Sequence, residues 1–148
     1  MSHPIALDAI IGQVVGRCIY NKYTHLDQTK IQLLMYYVRN QFFSELKEPG
    51  FTEPIYATES GPRIECIRDR LHRYKGDIHY EDLKLLYPKQ KGFDLKTAAL
   101  IYRAVDPAGT LSNEILLELA NRQRPYQKAL LSRSHLIRPE ETLKFFSR

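Results

Sequence analysis

The sequence predicts a mainly α protein, a compact bundle of six to eight short helices, and three observations predict it. Apolar residues recur at spacings of three and four along most of the chain. The segments with that period are separated by Gly, Pro and short polar runs rather than by long alternating stretches. The 148 residues, 43% hydrophobic and 26% charged, suit one domain over residues 1–148 with a sizeable core. No repeat, low-complexity run or linker divides them.

Residues 5 to 20 predict the first helix, with Ile10, Val14, Cys18 and Ile11, Val15, Ile19 on adjoining stripes. Gly12 and Gly16, four apart, predict close packing of a neighbouring helix. Residues 28 to 43 predict the second helix, capped by Asp27. Ile31, Leu34, Met35, Val38 and Phe42 form one buried stripe, and Leu33 and Tyr37 lie off it. That helix is apolar over more than half its circumference, which predicts a central position with neighbours on two sides.

Pro49-Gly50, Pro54 and Gly61-Pro62 then break the pattern. Short runs around Phe51 and Ile55 to Ala57 predict one small β-hairpin around residues 44–60. Pro62 fits the first turn of the helix that follows. Ile64, Ile67, Leu71 and Tyr74 predict that helix, ended at Gly76. YEDLKLLYP predicts a short helix stopped before Pro88. GFDLKTAALIYRAVD predicts another, with Leu95, Ala99, Tyr102 and Ala98, Ile101, Val105 inside. TLSNEILLELANRQ starts at a Thr110 or Ser112 cap and points Ile115, Leu116 and Leu119 inward. RPYQKALLSRS and IRPEETLKFFSR predict the last two. The latter places Pro139 in its first turn and Glu140-Glu141 at the positive end of the helix dipole.

Little in the sequence points to catalysis. It has no Gly-rich phosphate loop and no G-x-S-x-G. Acids such as Asp8, Glu45 and Glu65 have no partner at a spacing that implies acid–base work. The expectation is a non-enzyme with no catalytic residues and no cofactor. His3, His25, His72, His79 and His135 are scattered without zinc spacing, so no metal site is expected. Cys18 and Cys66 are far apart in helical patterns and read as reduced, buried thiols. The start of the chain lacks a basic region before its apolar stretch, and no window reaches the length of a membrane span. These features predict a cytoplasmic protein without a membrane partner.

The net charge of +5 admits nucleic acid or an acidic protein as partner. Arg68, Arg70, His72, Arg73 and Lys75 load one helix, and Arg122, Arg124, Lys128, Arg133 and Arg138 load the last third. They could contact phosphates, but solvated helix faces explain them more simply.

Four stretches in order resemble the Panacea domain family, also called SocA-like or DUF4065 antitoxin domains. TKIQLLMYY, residues 29 to 37, matches a helix reading roughly M-K-L-Q-K-L-L-Y-Y in Lys30, Gln32, Leu34, Tyr36 and Tyr37. Ala57, Gly61 and Pro62 match A-W-x-Y-G-P, with Thr58 and Ser60 in place of the aromatics. LLELANRQRPYQKAL resembles a segment of that family ending in Pro-Trp, with Asn121 for the usual His and Tyr126 for the usual Trp. Ile137 to Phe146 resembles its closing helix. The resemblance implies a mostly helical antitoxin, bacterial or phage-encoded, that neutralises a protein toxin from an adjacent gene. It does so by direct binding or by bridging the toxin to a protease. A DNA- or RNA-binding regulator, or a mobile-element adaptor that delivers a partner to a protease, is the second reading.

Lys30, Gln32, Tyr36, Tyr37, Gly61 and Pro62 read as mainly structural: buried rings with bonded hydroxyls, and a glutamine that satisfies buried backbone near Gly61-Pro62. A toxin-binding surface needs aromatic and arginine anchors. Phe51, Tyr56, Arg63, Arg122, Arg124 and Tyr126 are the candidates.

Overall fold

The computed structural model describes residues 4–147; His3 and Arg148 lie outside them. Among the described residues the helices are α1 (Leu7–Tyr20), α2 (Gln28–Leu46), α3 (Glu65–Leu71), α4 (Tyr80–Leu86), α5 (Leu95–Ala108), α6 (Asn113–Asn121), α7 (Arg124–Leu131) and α8 (Pro139–Phe146). A two-stranded antiparallel hairpin, β1 (Tyr56–Thr58) and β2 (Gly61–Arg63), sits between α2 and α3. The mainly α bundle with one small hairpin is therefore the fold. None of these helices is long and apolar enough to cross a membrane.

α2 is the axis of the bundle. Asp27 starts it by accepting the Lys30 N–H at 2.7 Å. Lys47, left-handed at φ 59, ends it. Ile31, Leu33, Leu34, Met35, Val38, Phe42 and Phe43 are all buried, so α2 is apolar around most of its circumference. It packs against α1, α3, α5, α6, α8 and β2. Neighbours on all sides, more than the two expected, explain why its polar residues are buried as well.

α1 and α5 pack on one another and are tied at the edge. Arg17 forks onto both oxygens of Asp106 at 2.8 Å, and Asn21 donates to the same carboxylate at 2.8 Å. Gly12 does mark a close approach, but of an extended segment and not of a helix. A Cβ at Gly12 would lie 2.5 Å from the Pro88 carbonyl oxygen, just past α4.

β1 lies in the expected region, while β2 lies just past it and the run around Phe51 forms no strand. Pro62 is in β2, paired with Ala57, and α3 starts only at Glu65. Pro62 therefore has no helical role. The other edge of β1 is covered from further along the chain: Ala57 N–H donates to His135 O at 2.8 Å, and Ile137 N–H to Ile55 O at 2.9 Å. A third extended segment thus flanks β1, and no free strand edge remains on that side.

Several inward assignments are corrected. Leu95, Ile115 and Leu119 are 83%, 45% and 38% exposed. Leu95 is the first residue of α5, beyond the core, and α6 is short and turns only Leu116 and Ala120 fully inward. Cys66 is exposed, because the apolar stripe of that region runs through Ile64, Ile67 and Leu71. α3 also stops at Leu71, leaving Tyr74 and Gly76 in the following loop. Cys18 is buried as expected, and burial pushes its thiol up to about 12.

Candidate partner-binding surface

The polar residues of α2 organise the region around the hairpin. Gln32 is buried and reaches one backbone unit with both ends of its amide. Its Nε2 donates to Ile64 O at 3.1 Å, and its Oε1 accepts from Ile64 N–H at 2.9 Å. It acts as a strand partner for the residue between β2 and α3. One and two turns on, Tyr36 and Asn40 both donate to Gln123 Oε1, the latter at 3.1 Å. Tyr37 donates to Leu116 O at 2.5 Å. The Tyr36 ring packs edge-on against Tyr37 and Tyr126, with centroids 5.1 and 5.6 Å apart. Tyr126 completes the frame from α7: its hydroxyl donates to Thr58 O at 2.7 Å and accepts from Thr58 N–H at 3.3 Å. α2, the hairpin and the α6–α7 corner are therefore joined through side chains.

Burial shifts these groups in the directions expected for charge excluded from water. The Tyr36 and Tyr126 hydroxyls are pushed well up, and that of Tyr37 to about 12. All remain neutral donors at ordinary pH. Arg39 is buried against backbone, donating to Ile137 O at 3.2 Å and Glu53 O at 3.4 Å, without a carboxylate. Burial lowers it to about 10, which still leaves it charged at neutral pH.

Two expected anchors are corrected. Phe51 and Tyr126 are each 0% exposed. Phe51 folds inward because Gly50 is left-handed at φ +82 and presses on the Phe42 ring, where a Cβ would lie 2.6 Å from it. Tyr126 is used by the hairpin backbone. Neither can insert into a partner without opening the core.

The other candidates stay accessible. Tyr56 is half-buried, and Arg63, Arg122 and Arg124 are exposed. Arg63 pairs with Glu65 at 2.9 Å and Arg122 with Glu118 at 2.6 Å. Arg124 has no ion pair among the described residues. Gly61 and Pro62 are buried at the rim of a cleft of about 310 Å³ that also has Gln32, Ser60, Arg63 and Arg68 in its walls. The structure thus brings Gln32, Gly61, Pro62 and Arg63 together, and joins Arg124's helix to the same hairpin through Tyr126. Phe51 is not part of that assembly.

Sequence reasoning missed Asn40, Gln123, Thr58 and Arg39. Asn40 lies four residues after Tyr36 and so shares its helix face, which is the one signal that could have found it. Isolated amides such as Gln123 carry no pattern. Among the described residues no group of three or more His, Cys, Asp or Glu could hold a metal ion. The chain matches no protein-family model, no curated protein and no solved structure.

Proposed function

We propose that this chain is an antitoxin-like binding protein of the Panacea type, which neutralises a protein toxin by covering it with the hairpin and the α6–α7 corner. One observation carries the reading. Residues of the stretches that resemble the family are far apart in sequence, yet they meet in a single frame: Gln32 lines one cleft with Gly61 and Pro62 and bonds Ile64 just beyond them, the Tyr36 ring packs on Tyr126, and Tyr126 bonds Thr58, where the family pattern has an aromatic. Residues that belong to one motif have a reason to converge; unrelated chance matches do not. On this reading the motif sets the hairpin and the corner in place, and exposed Arg63, Arg122 and Arg124 with half-buried Tyr56 make the contact.

The pairing of part of the surface cations favours a protein over a nucleic acid, although Arg73, Lys75, Arg124, Arg133 and Arg138 have no ion pair among the described residues. Arg63, Arg68, Arg70, Arg122 and Lys128 each have an acid within 3.6 Å. A phosphate backbone would have to displace those acids, whereas a partner with mixed charges can meet both members of each pair.

Growth of a bacterial host expressing the neighbouring gene product, with and without this chain, tests the proposal. Rescue is expected. The partner's cellular level separates the mechanisms: an unchanged level indicates direct binding, and a fall indicates delivery to a protease. A neighbour that is harmless alone, or that stays toxic beside this chain, overturns the reading.

A further inference from the structure

α7 and α8 pack on each other, and the charges they bring together are unequal. Arg124 and Lys128 lie four residues apart on α7 and so share a face. Arg138 stands at the N-cap of α8, and Glu141 and Lys144 follow at intervals of three along one side of it. Where these rows meet, two clefts of about 270 and 160 Å³ adjoin and share Pro125, Lys128 and Glu141 as walls. Arg124, Lys144 and Phe145 complete the first; Ser132, Leu136 and Arg138 help to close the second. Both are below the roughly 300 Å³ at which small-molecule sites begin, so each has room for a side chain.

Four cations in this groove face one carboxylate, an excess of three (4 − 1). Lys128 takes that carboxylate, donating to Glu141 Oε1 at 2.8 Å. Arg124, Arg138 and Lys144 have no ion pair among the described residues. Arg124 and Lys144 nevertheless stand near enough to act on Glu141. Its carboxyl is held below the usual range first by the Lys128 bond and then by the charges of Lys128, Lys144 and Arg124. The first cleft thus aims three cations at a single acid, and two of them form no bond to it. Like charges held side by side repel, and an incoming carboxylate relieves that repulsion. Half-buried Phe145 and Leu136 set apolar surface beside the cations of each cleft.

The complement of such a groove is a chain that carries carboxylates among apolar groups. We propose that the α7–α8 groove docks an acidic polypeptide segment of a protein partner, one carboxylate meeting Arg124 and Lys144 and a second meeting Arg138, on either side of the Lys128–Glu141 bridge. A peptide can set a neutral residue opposite Glu141, which lines both clefts, whereas a nucleic acid carries a phosphate at every step. The inference rests on the reading of a protein partner at the α6–α7 corner and deepens it by naming the charge of the segment that meets Arg124.

Isotope-labelled full-length protein, titrated with three unlabelled probes and followed by NMR through its arginine Nε–H resonances, tests it. The probes are an acetylated and amidated octapeptide of alternating glutamate and alanine, the same octapeptide with glutamine for glutamate, and single-stranded octathymidylate. At about 20 mM salt, where surface charge is weakly screened, the glutamate peptide is expected to move the Arg124 and Arg138 resonances saturably, with a dissociation constant on the order of 1 mM. The glutamine peptide is expected to move neither. Arg124→Glu and Lys144→Glu, both at exposed side chains, are each expected to weaken binding at least about fivefold, read at Arg138. Lys75→Glu makes the same charge change at an exposed lysine between α3 and α4 and is expected to weaken it less than about twofold. Equal shifts with the glutamine peptide overturn the proposal, as do no saturable shift with the glutamate peptide, tighter binding of octathymidylate through the same arginines, or an equal loss in Lys75→Glu. The assay contains no toxin, so its failure leaves the growth test standing, and failure of the growth test leaves the peptide result standing.

Discussion

The start and the middle of the motif helix treat their polar residues in different ways. In the middle of α2, Gln32, Tyr36 and Asn40 have their polar groups bonded to backbone or to Gln123. At its start, Lys30 has one acceptor, the Leu111 carbonyl, and Asn113 Oδ1 of the adjoining α6 has no hydrogen-bond partner among the described residues. Lys30 and the Asn113 Oδ1 atom are buried as well, so burial does not separate the two sets. Satisfaction does. The middle of the helix fixes the hairpin and the α6–α7 corner, and the start only ties α2 to the α5–α6 connection through the Leu111 carbonyl and Asn113.

That contrast can be broken by substitution. Gln32→Leu is expected to be the most damaging. It strands the N–H and the C=O of buried Ile64 at once, and each unpaired buried group costs about 1–3 kcal/mol. Urea unfolding should show a loss on the order of 3 kcal/mol. A loss below about 1 kcal/mol would mean that water replaces the glutamine and that the clamp is unimportant.

Arg39 comes next and splits two ways. Arg39→Ala should cost on the order of 3 kcal/mol, since it opens a cavity and leaves the Ile137 carbonyl unpaired. Arg39→Met keeps the volume and removes a buried charge that no carboxylate balances, so its cost should be within about 1 kcal/mol. Equal losses for the two variants would show that the charge itself stabilises the fold.

Tyr126→Phe is expected to cost about 1–2 kcal/mol by releasing Thr58 while the ring stays packed. The tyrosines also set an alkaline limit. The Tyr36, Tyr37, Tyr87 and Tyr126 hydroxyls are all raised by burial, so the folded state holds their protons after the unfolded chain has begun to lose them. The stability they contribute is complete below about pH 10 and is lost as pH rises through their folded values. Lys30 has the opposite sign. Burial lowers it, so its contribution to stability improves as pH climbs through the folded value toward 10.5. Urea midpoints measured from roughly pH 9 to 11 should fall overall, and should fall less steeply in Tyr37→Phe.

The smallest effect on stability should come from Arg124→Glu, within about 0.5 kcal/mol, because the side chain is exposed and has no ion pair among the described residues. Its effect on partner binding should be large, the reverse of Gln32→Leu.

Periodicity made the helices legible, and the Asp27 and Ser112 caps fell where side-chain chemistry places them. The structural role of Gln32 was also legible, although its target is Ile64 and not Gly61-Pro62 themselves. The second strand of the hairpin was not legible because Gly61-Pro62 reads as a break before a helix, while here Pro62 is paired in a strand. Phe51 and Tyr126 read as exposed anchors because aromatic residues near turns look available. Only tertiary packing, through Gly50 for one and Thr58 for the other, takes them inside. The polar cluster of Asp27, Lys30 and Asn113 has no sequence signature, since Lys30 and Asn113 sit 83 positions apart in the chain (113 − 30) and meet only in the fold.

The most direct test pairs growth rescue with unfolding for a single variant. Arg124→Glu should lose rescue of a host expressing the neighbouring toxin while unfolding at the same urea midpoint as the parent chain. Full rescue by that variant, or loss of rescue together with loss of stability, would contradict the division between the α2 frame and the exposed arginine surface.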